Sequence, residues 1–514
     1  MTKVLRPVGN LERYYITRQN VNFYNNISFA VRYQWDELYN LNPIVDPLTN
    51  NIINKAKEFI LQILYPSLKK LILEQPSLSI SLKETKSSQP LFVLLSQIDI
   101  SNLIKFIVIS NDEKDLVKVL EKEHDIALDQ EDETKPLWRM VVGLYDITNS
   151  NENMRMRPDY DICIIFCWHH CIGDGKSAYA IHNTFIKSIN STLQEKNNNS
   201  FIKPINSSKY IISIPDIHQI CEPLEKRINV KPTIPHLLKK IFIELLLPSI
   251  LKKSLLLPDY WAGDIHSKDI SDYYTKVQLY SLEKDDFEKL ILITKQNQTT
   301  IQAVLHTAIL FSSFHYLNNN NDKYMRITSP LTLRPYTIPP ISNNDMGNYV
   351  SEFIFDYKFP VNKSIFDNIY FWELCHQYKS QLKNNISLSI QHIGMLNYLS
   401  KDNKSWEEFF KQKMVGLPMG RGYSIELSNW GKYNIEKNTN TCNWKIVDMF
   451  FSQSAQVVGA AINVNSISYN NKLNISITYQ KSVISDKKVK EFSNGIINCL
   501  KLISNNKNIN LIEL

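Results

Sequence analysis

The sequence lacks a disulfide framework. Its cysteines number seven, an odd count scattered along 514 residues, a pattern that points to a reduced compartment rather than to a stapled secreted domain. It lacks a signal-peptide core as well, since the opening Met1-Thr2-Lys3-Val4-Leu5-Arg6-Pro7 forms no apolar run. No apolar stretch reaches membrane-spanning length free of charge, no repeat of fixed period is visible, and no second cluster of paired ligands with zinc-finger spacing appears. Charge of one sign is not massed anywhere: 58 Lys and Arg against 51 Asp and Glu leave a net charge of +7, spread along the chain. That argues against a nucleic-acid partner while leaving an acidic ligand open. What remains is an ordinary globular composition, 43% apolar and 21% charged, able to build a core and long enough for two or three average domains. The asparagine runs at 197–199 and 318–321 read as surface loop expansions.

Against this background one stretch stands out. Residues 161–168, Asp161-Ile162-Cys163-Ile164-Ile165-Phe166-Cys167-Trp168, are apolar at nearly every position, as a central strand covered on both faces should be. The run meets His169-His170-Cys171-Ile172-Gly173-Asp174-Gly175-Lys176-Ser177. Ala178, Ile181, Phe185, Ile186 and Ile189 then recur at helical spacing. Strand, polar turn and helix thus follow one another closely. Imidazole changes charge near neutral pH, so a histidine at a strand end can take a proton from a hydroxyl. Alternation sends His169 and His170 to opposite sides, so that one of them faces any given cavity. Glycines at 173 and 175 allow a tight turn and a close backbone approach. The competing readings are a structural strand-end histidine and a zinc site built from Cys167, His169, His170 and Cys171. The alternating faces scatter those four side chains, which disfavours the metal.

The order His169-His170-x-x-x-Asp174-Gly175 after a buried strand resembles the signature of the acyl-CoA-dependent acyltransferases related to chloramphenicol acetyltransferase and to peptide-synthetase condensation domains. Other landmarks narrow the resemblance to the fungal-type alcohol O-acetyltransferase family. The opening Arg6-Pro7-Val8-Gly9-Asn10-Leu11-Glu12-Arg13 is similar to the family's Arg-x-x-Gly-x-x-Glu-Arg segment, and Pro76-Ser77-Leu78 to its Pro-Ser-Leu segment. Arg334-Pro335, with Gly347-Asn348 shortly after, looks like its Arg-Pro and Gly-Asn pair, and Ser428-Asn429-Trp430-Gly431 like its Ser-Asn-x-Gly turn. A larger residue, Trp430, stands where a smaller apolar one is expected.

Along the chain, Ile52–Leu73 has helical periodicity that Pro66 should kink or interrupt. Prolines at 204, 215, 223, 232, 235, 248 and 258 deny long regular elements to the middle of the chain. The expected organisation is therefore 1–215 as a first domain carrying the motif, 216–265 as a proline-rich connector, and 266–514 as a second domain. Within the connector, 236–257 sets Leu237, Leu238, Ile241, Phe242 and Leu245 opposite His236, Lys239, Lys240 and Glu244. That helix either packs on its own domain or lies on a membrane or lipid-droplet surface.

The resemblance implies an α/β fold of two chloramphenicol acetyltransferase-like domains, each a mixed sheet with helices, with an active-site tunnel between them. It implies acyl transfer from acetyl-CoA or another acyl-CoA, as co-substrate, to a small or medium alcohol, with no bound cofactor and no metal. His170 is then the general base and His169 its supporting neighbour. Asp174 is structural and pairs with Arg334. The Gly175 N–H or the turn of Ser428, Asn429 and Gly431 serves the substrate and its oxyanion. The expected protein is a cytoplasmic monomer, peripheral on endoplasmic reticulum or lipid droplet if 236–257 meets a membrane. Transfer to a long-chain amine, and a non-catalytic binding protein of the same fold, remain the alternatives.

Overall fold

The computed structural model describes the chain apart from residues 1–2, 36–50, 111, 146–161, 199–209, 217–218, 242–258, 318–323, 360–368, 400–401, 435–443, 506–508 and 511–514. The first part of the chain supplies β1 (Lys3–Pro7), α1 (Asn10–Asn20), β2 (Ile27–Trp35), α2 (Asn51–Glu74), β3 (Ile80–Lys83), β4 (Leu91–Leu94) and β5 (Gln97–Asp99). β6 (Ile104–Ile109), α3 (Glu113–Asp125), β7 (Trp138–Tyr145), β8 (Ile162–Trp168), α4 (Ser177–Asn198) and β9 (Ile211–Ser213) follow. Short α5 (Leu224–Arg227) and α6 (Ile234–Ile241) lead to β10 (Thr275–Leu282), α7 (Lys284–Gln296), α8 (Ile301–Tyr316), β11 (Tyr324–Thr332) and β12 (Val350–Lys358). The chain closes with α9 (Phe371–Asn384), α10 (Ile386–Gly394), α11 (Asn403–Gly416), β13 (Tyr423–Lys432), β14 (Trp444–Gln453), β15 (Ala460–Tyr469), β16 (Lys472–Gln480) and α12 (Asp486–Ser504).

Two mixed sheets organise these elements, in the orders β14-β2-β8-β7-β6 and β10-β16-β15-β13-β11-β12. β8 lies at the centre of the first, antiparallel to β2 and β7. All seven of its residues are buried. Ile162, Ile164, Phe166 and Trp168 join the main core beneath α2 and α4, while Cys163, Ile165 and Cys167 pack on the other face with Leu116 and Leu120 of α3. Burial on both faces is why every position of the run is apolar. The second sheet has its own core against α7, α8, α9 and α12.

Three features depart from the sequence reading. First, α2 runs unbroken through Pro66. Burial of Ile60, Ile63, Leu64, Leu68, Leu71 and Ile72 outweighs the roughly 3 kcal/mol that an interior proline costs. Second, β14 belongs to the first sheet, pairing antiparallel with β2 from Trp444↔Trp35 to Gln453↔Ile27. Dividing the chain at 265 therefore parts β14 from the sheet it completes. The pairing covers the open edge of β2. It is reinforced by a buried chain in which His124 meets Ser452 Oγ at 2.8 Å and Asn26 Oδ1 at 2.8 Å. Third, Ser428-Asn429-Trp430-Gly431 is no strand-ending turn but lies inside β13. Asn429 pairs with Ser466 and Lys432 with Ser468, so β13 carries one extra residue there, a bulge with Gly431 at φ +87°.

The hairpin expected at Asn470-Asn471 is present, with both residues at positive φ (48° and 59°) between β15 and β16. In α6, the His236 ring lies 5.7 Å from that of His392 at a tilt of 49°, while Ile234 and Leu238 point outward. Residues 242–258, most of the apolar and basic segment, lie outside the described residues.

Candidate active site

β8 ends at Trp168, and the next two residues part company as strand alternation requires. His169 is sealed: its Nδ1 accepts the Cys171 N–H at 3.0 Å and its Nε2 is buried with no partner among the described residues. His170 keeps 9% of its surface. Its ring lies flat on Tyr15, with centroids 3.7 Å apart and planes 2° apart, and Tyr24 stands 6.0 Å away. Asn348 Nδ2 donates to the His170 carbonyl at 3.0 Å. Asn348 Nδ2 also stands 3.5 Å from the ring's Nδ1, so the amide flanks one ring nitrogen as well as the carbonyl.

The opening segment explains how Tyr15 reaches the imidazole. Arg6 grips Glu12 with two hydrogen bonds of 2.8 Å, and Glu12 also accepts the Gly9 N–H, closing the first turn of α1. A Cβ on Gly9 would come within 2.4 Å of the Pro223 side chain, so glycine is required there. The helix so anchored carries Tyr15 on His170 and, one turn further, Arg18, whose guanidinium lies 4.5 Å from the Tyr24 ring centroid.

Asp174 and Arg334 are brought together across the two sheets. Arg334 donates from an Nη to Asp174 Oδ1 at 3.1 Å, and both side chains are buried. Asp174 Oδ1 also accepts the Ser177 N–H (3.1 Å) and Oδ2 accepts the Tyr349 N–H (3.0 Å). Arg334 further holds the carbonyls of Ser342, Asp345 and Gly347. Both carboxylate oxygens are thus engaged, and the pair clamps the histidine turn to the 342–349 loop. Gly173 makes that turn possible, since a Cβ would meet Ser177 Oγ at 2.7 Å. At Gly175 the nearest atoms, from Phe451 and Trp430, are 3.5–3.9 Å from such a Cβ, so packing does not demand glycine there.

The β13 bulge swings Trp430 onto the motif. Its Nε1 donates to the Gly175 carbonyl at 2.8 Å, and Lys176 returns a bond to the Trp430 carbonyl with its ammonium 4.0 Å from the indole centroid. Of the turn residues marked by resemblance, Trp430 is therefore the one that touches the histidine loop. Asn429 instead turns inward, its Oδ1 accepting from Gly431 N and Ser466 Oγ. Ser428 shares a strand face with Glu426. Sequence reasoning did not single out Tyr15, Arg18, Asn348, Lys176 or Glu426 as site residues. Gly347-Asn348 was legible as a landmark, but nothing in the one-dimensional pattern aims α1 at the imidazole.

Burial sets the charge states. It pushes His170 down to about 4 and His169 to about 3, and His124, His182 and His306 likewise to about 3. At neutral pH His170 is in its base form. The same burial pushes the Lys176 ammonium down to about 8 and the Cys163 and Cys167 thiols up to about 12. Among the described residues no group of His, Cys, Asp and Glu is arranged to hold a metal ion.

A stability prediction follows from the histidines. Each is neutral when folded, whereas in the unfolded chain it takes up a proton near pH 6.5. Their contribution is therefore whole above pH 6.5 and is lost as pH falls toward the folded values near 3–4. His306, buried with neither ring nitrogen partnered among the described residues, isolates one share. In denaturant melts between pH 6 and 4.5, His306→Leu should lower the slope of stability against pH by up to about 1.4 kcal/mol per pH unit. Parallel slopes for the two proteins would show that this ring titrates normally in the fold.

Residues 7–501 match the family described as alcohol acetyltransferase. The chain belongs to this family. It is accordingly an acyltransferase. A protein of Aspergillus fumigatus named a probable alcohol acetyltransferase is 20% identical over 512 residues, covering 93% of this chain and 95% of that one. Among solved structures, the trichothecene 15-O-acetyltransferase of Fusarium sporotrichioides superposes with a TM-score of 0.64 at 11% identity, covering 96% of this chain and 94% of that one. The epimerization domain from the third module of tyrocidine synthetase B gives 0.59 at 12% identity, with 98% of each chain covered. The fold is thus the two-domain one shared by chloramphenicol acetyltransferase-like and condensation-type proteins.

Proposed function

We propose that the enzyme transfers an acyl group, acetyl in the first instance, from acyl-CoA to the hydroxyl of an alcohol, with His170 as general base. The observation that carries this reading is the contrast between the two histidines: one sealed, the other neutral, ring-stacked and reaching accessible space. Nε2 of His170 takes the alcohol proton as the oxygen attacks the thioester carbonyl. The C–S bond then breaks as the tetrahedral intermediate collapses, and the proton passes to the departing sulfur, giving ester and free CoA. General-base assistance of this kind contributes about 10²–10⁴ in rate. The Gly175 N–H is the proposed oxyanion donor. Asp174 and Arg334 hold the loop, and Asn348 and Tyr15 fix the ring.

This reading places the protein in the cytoplasm. The outward Ile234 and Leu238 of α6 favour a peripheral lipid contact for that segment over packing on its own domain. The function is tested by thiol release from acetyl-CoA across a panel of alcohols and long-chain amines. The expected result is release with alcohols and an ester as product. Release with amines alone would move the reading to N-acylation, and release with neither would remove acyl transfer from acetyl-CoA.

A further inference from the structure

The face of the second sheet turned toward α1 is polar where a buried sheet face is ordinarily apolar. Along β13, β15 and β16, Glu426, Asn463, Asn465, Ser476 and Thr478 share it, and the four on β15 and β16 are fully buried. Burying such a surface is unfavourable unless each group is satisfied. Glu426 is the centre of the arrangement. Its Oε1 accepts from Gln453 Nε2 at 2.7 Å and its Oε2 from Gln456 Nε2 at 2.8 Å. Each amide has a second hydrogen, and both are spent: Gln453 on Asn465 Oδ1 at 2.9 Å and Gln456 on Asn463 Oδ1 at 3.0 Å. The two glutamines are therefore locked, while each carboxylate oxygen has accepted one bond and can accept another.

The network leads back to the base. Gln456 Oε1 accepts from Arg18 at 3.1 Å, and Gln453 Oε1 from the Tyr24 hydroxyl at 3.3 Å. Arg18 and Tyr24 stand beside Tyr15, and Tyr15 and Tyr24 are the rings against His170. Gly459 is part of the construction, because a Cβ there would lie 1.6 Å from Gln456 Oε1. Glu426, Tyr15 and Tyr423 are each half-buried, whereas the glutamines and asparagines that hold Glu426 are buried. A half-buried carboxylate with spare acceptor capacity is thus linked, through Gln456 and Arg18, to the ring that lies on His170.

We propose that Glu426, held by Gln453 and Gln456, is a subsite for a second hydroxyl of the acceptor, so that the preferred acceptor class is a diol or polyol rather than a simple alkyl alcohol. One hydroxyl reacts at His170 and the other donates to Glu426. The proposal rests on the acyl-transfer reading above. It is tested with 1,n-alkanediols and 1-alkanols of matched length, by thiol release from acetyl-CoA with the wild type, Glu426→Gln and Gln456→Ala.

The wild type should favour the diol at one chain length by about tenfold or more in kcat/KM, a typical value for a hydrogen bond to a charged group, beyond the statistical gain of two equivalent hydroxyls. Glu426→Gln presents an amide NH2 to Gln453 or Gln456 and should erase the preference, chiefly through KM. Gln456→Ala, which frees one carboxylate oxygen and Arg18, should do the same, so the test survives a misfolded Glu426 variant. A wild type without diol preference overturns the proposal, as does a preference that both variants retain. Absence of thiol release with any acceptor is a different result, and it overturns acyl transfer itself.

Discussion

His170→Ala is expected to abolish thiol release from acetyl-CoA, a loss of about 10²–10⁴ or more for a general base, while the melting temperature stays within a few degrees. Both parts follow from the geometry. The imidazole stacks on Tyr15 but retains accessible surface, and the polar group beside its ring, Asn348 Nδ2, is 3.5 Å away, a weak contact to lose. His169→Ala should show the opposite balance. Its side chain is wholly buried and caps the Cys171 N–H, so its removal costs stability more than turnover. Rates and melts on the two variants decide the matter. An inactive His169 variant beside an active His170 variant would reverse the assignment of faces.

Asp174 and Arg334 should fail together and differently. Removing one member of a buried pair leaves the other charge without its counter-ion, at a cost of about 3–5 kcal/mol. Arg334→Ala also releases the carbonyls of Ser342, Asp345 and Gly347, so the loop that presents Asn348 to His170 loosens with it. Asp174→Asn and Arg334→Ala are thus expected to lose stability and activity in step, whereas His170→Ala loses activity alone. A double-mutant cycle in urea should give a coupling of roughly 1 kcal/mol or more. Additive effects would contradict the pairing. A stable but inactive Asp174→Asn protein would put Asp174 among the reacting groups instead.

Some of this could be read along the chain. The residue types of β8, the parting of His169 from His170, and the Asn-Asn hairpin follow from periods of two and from backbone preferences, which act over a few residues. The partnership of Asp174 with Arg334 was accessible through resemblance, because both stand in marked segments. Pro66 and the β13 bulge were misread for a common reason. A local rule predicted a break, but burial of the flanking side chains in one case, and pairing with β15 in the other, carried the element through.

By itself, then, the sequence determined most of the elements and the two-histidine turn at the end of β8, since hydrophobic period and turn chemistry are local. Tertiary structure alone decided which sheet receives β14, where α1 lays Tyr15 and Arg18, and that Glu426 joins Gln453 and Gln456. Those outcomes depend on edges and faces meeting across hundreds of residues. A buried carboxylate is tolerated only where amide donors converge on it in three dimensions, and no spacing in one dimension records that convergence.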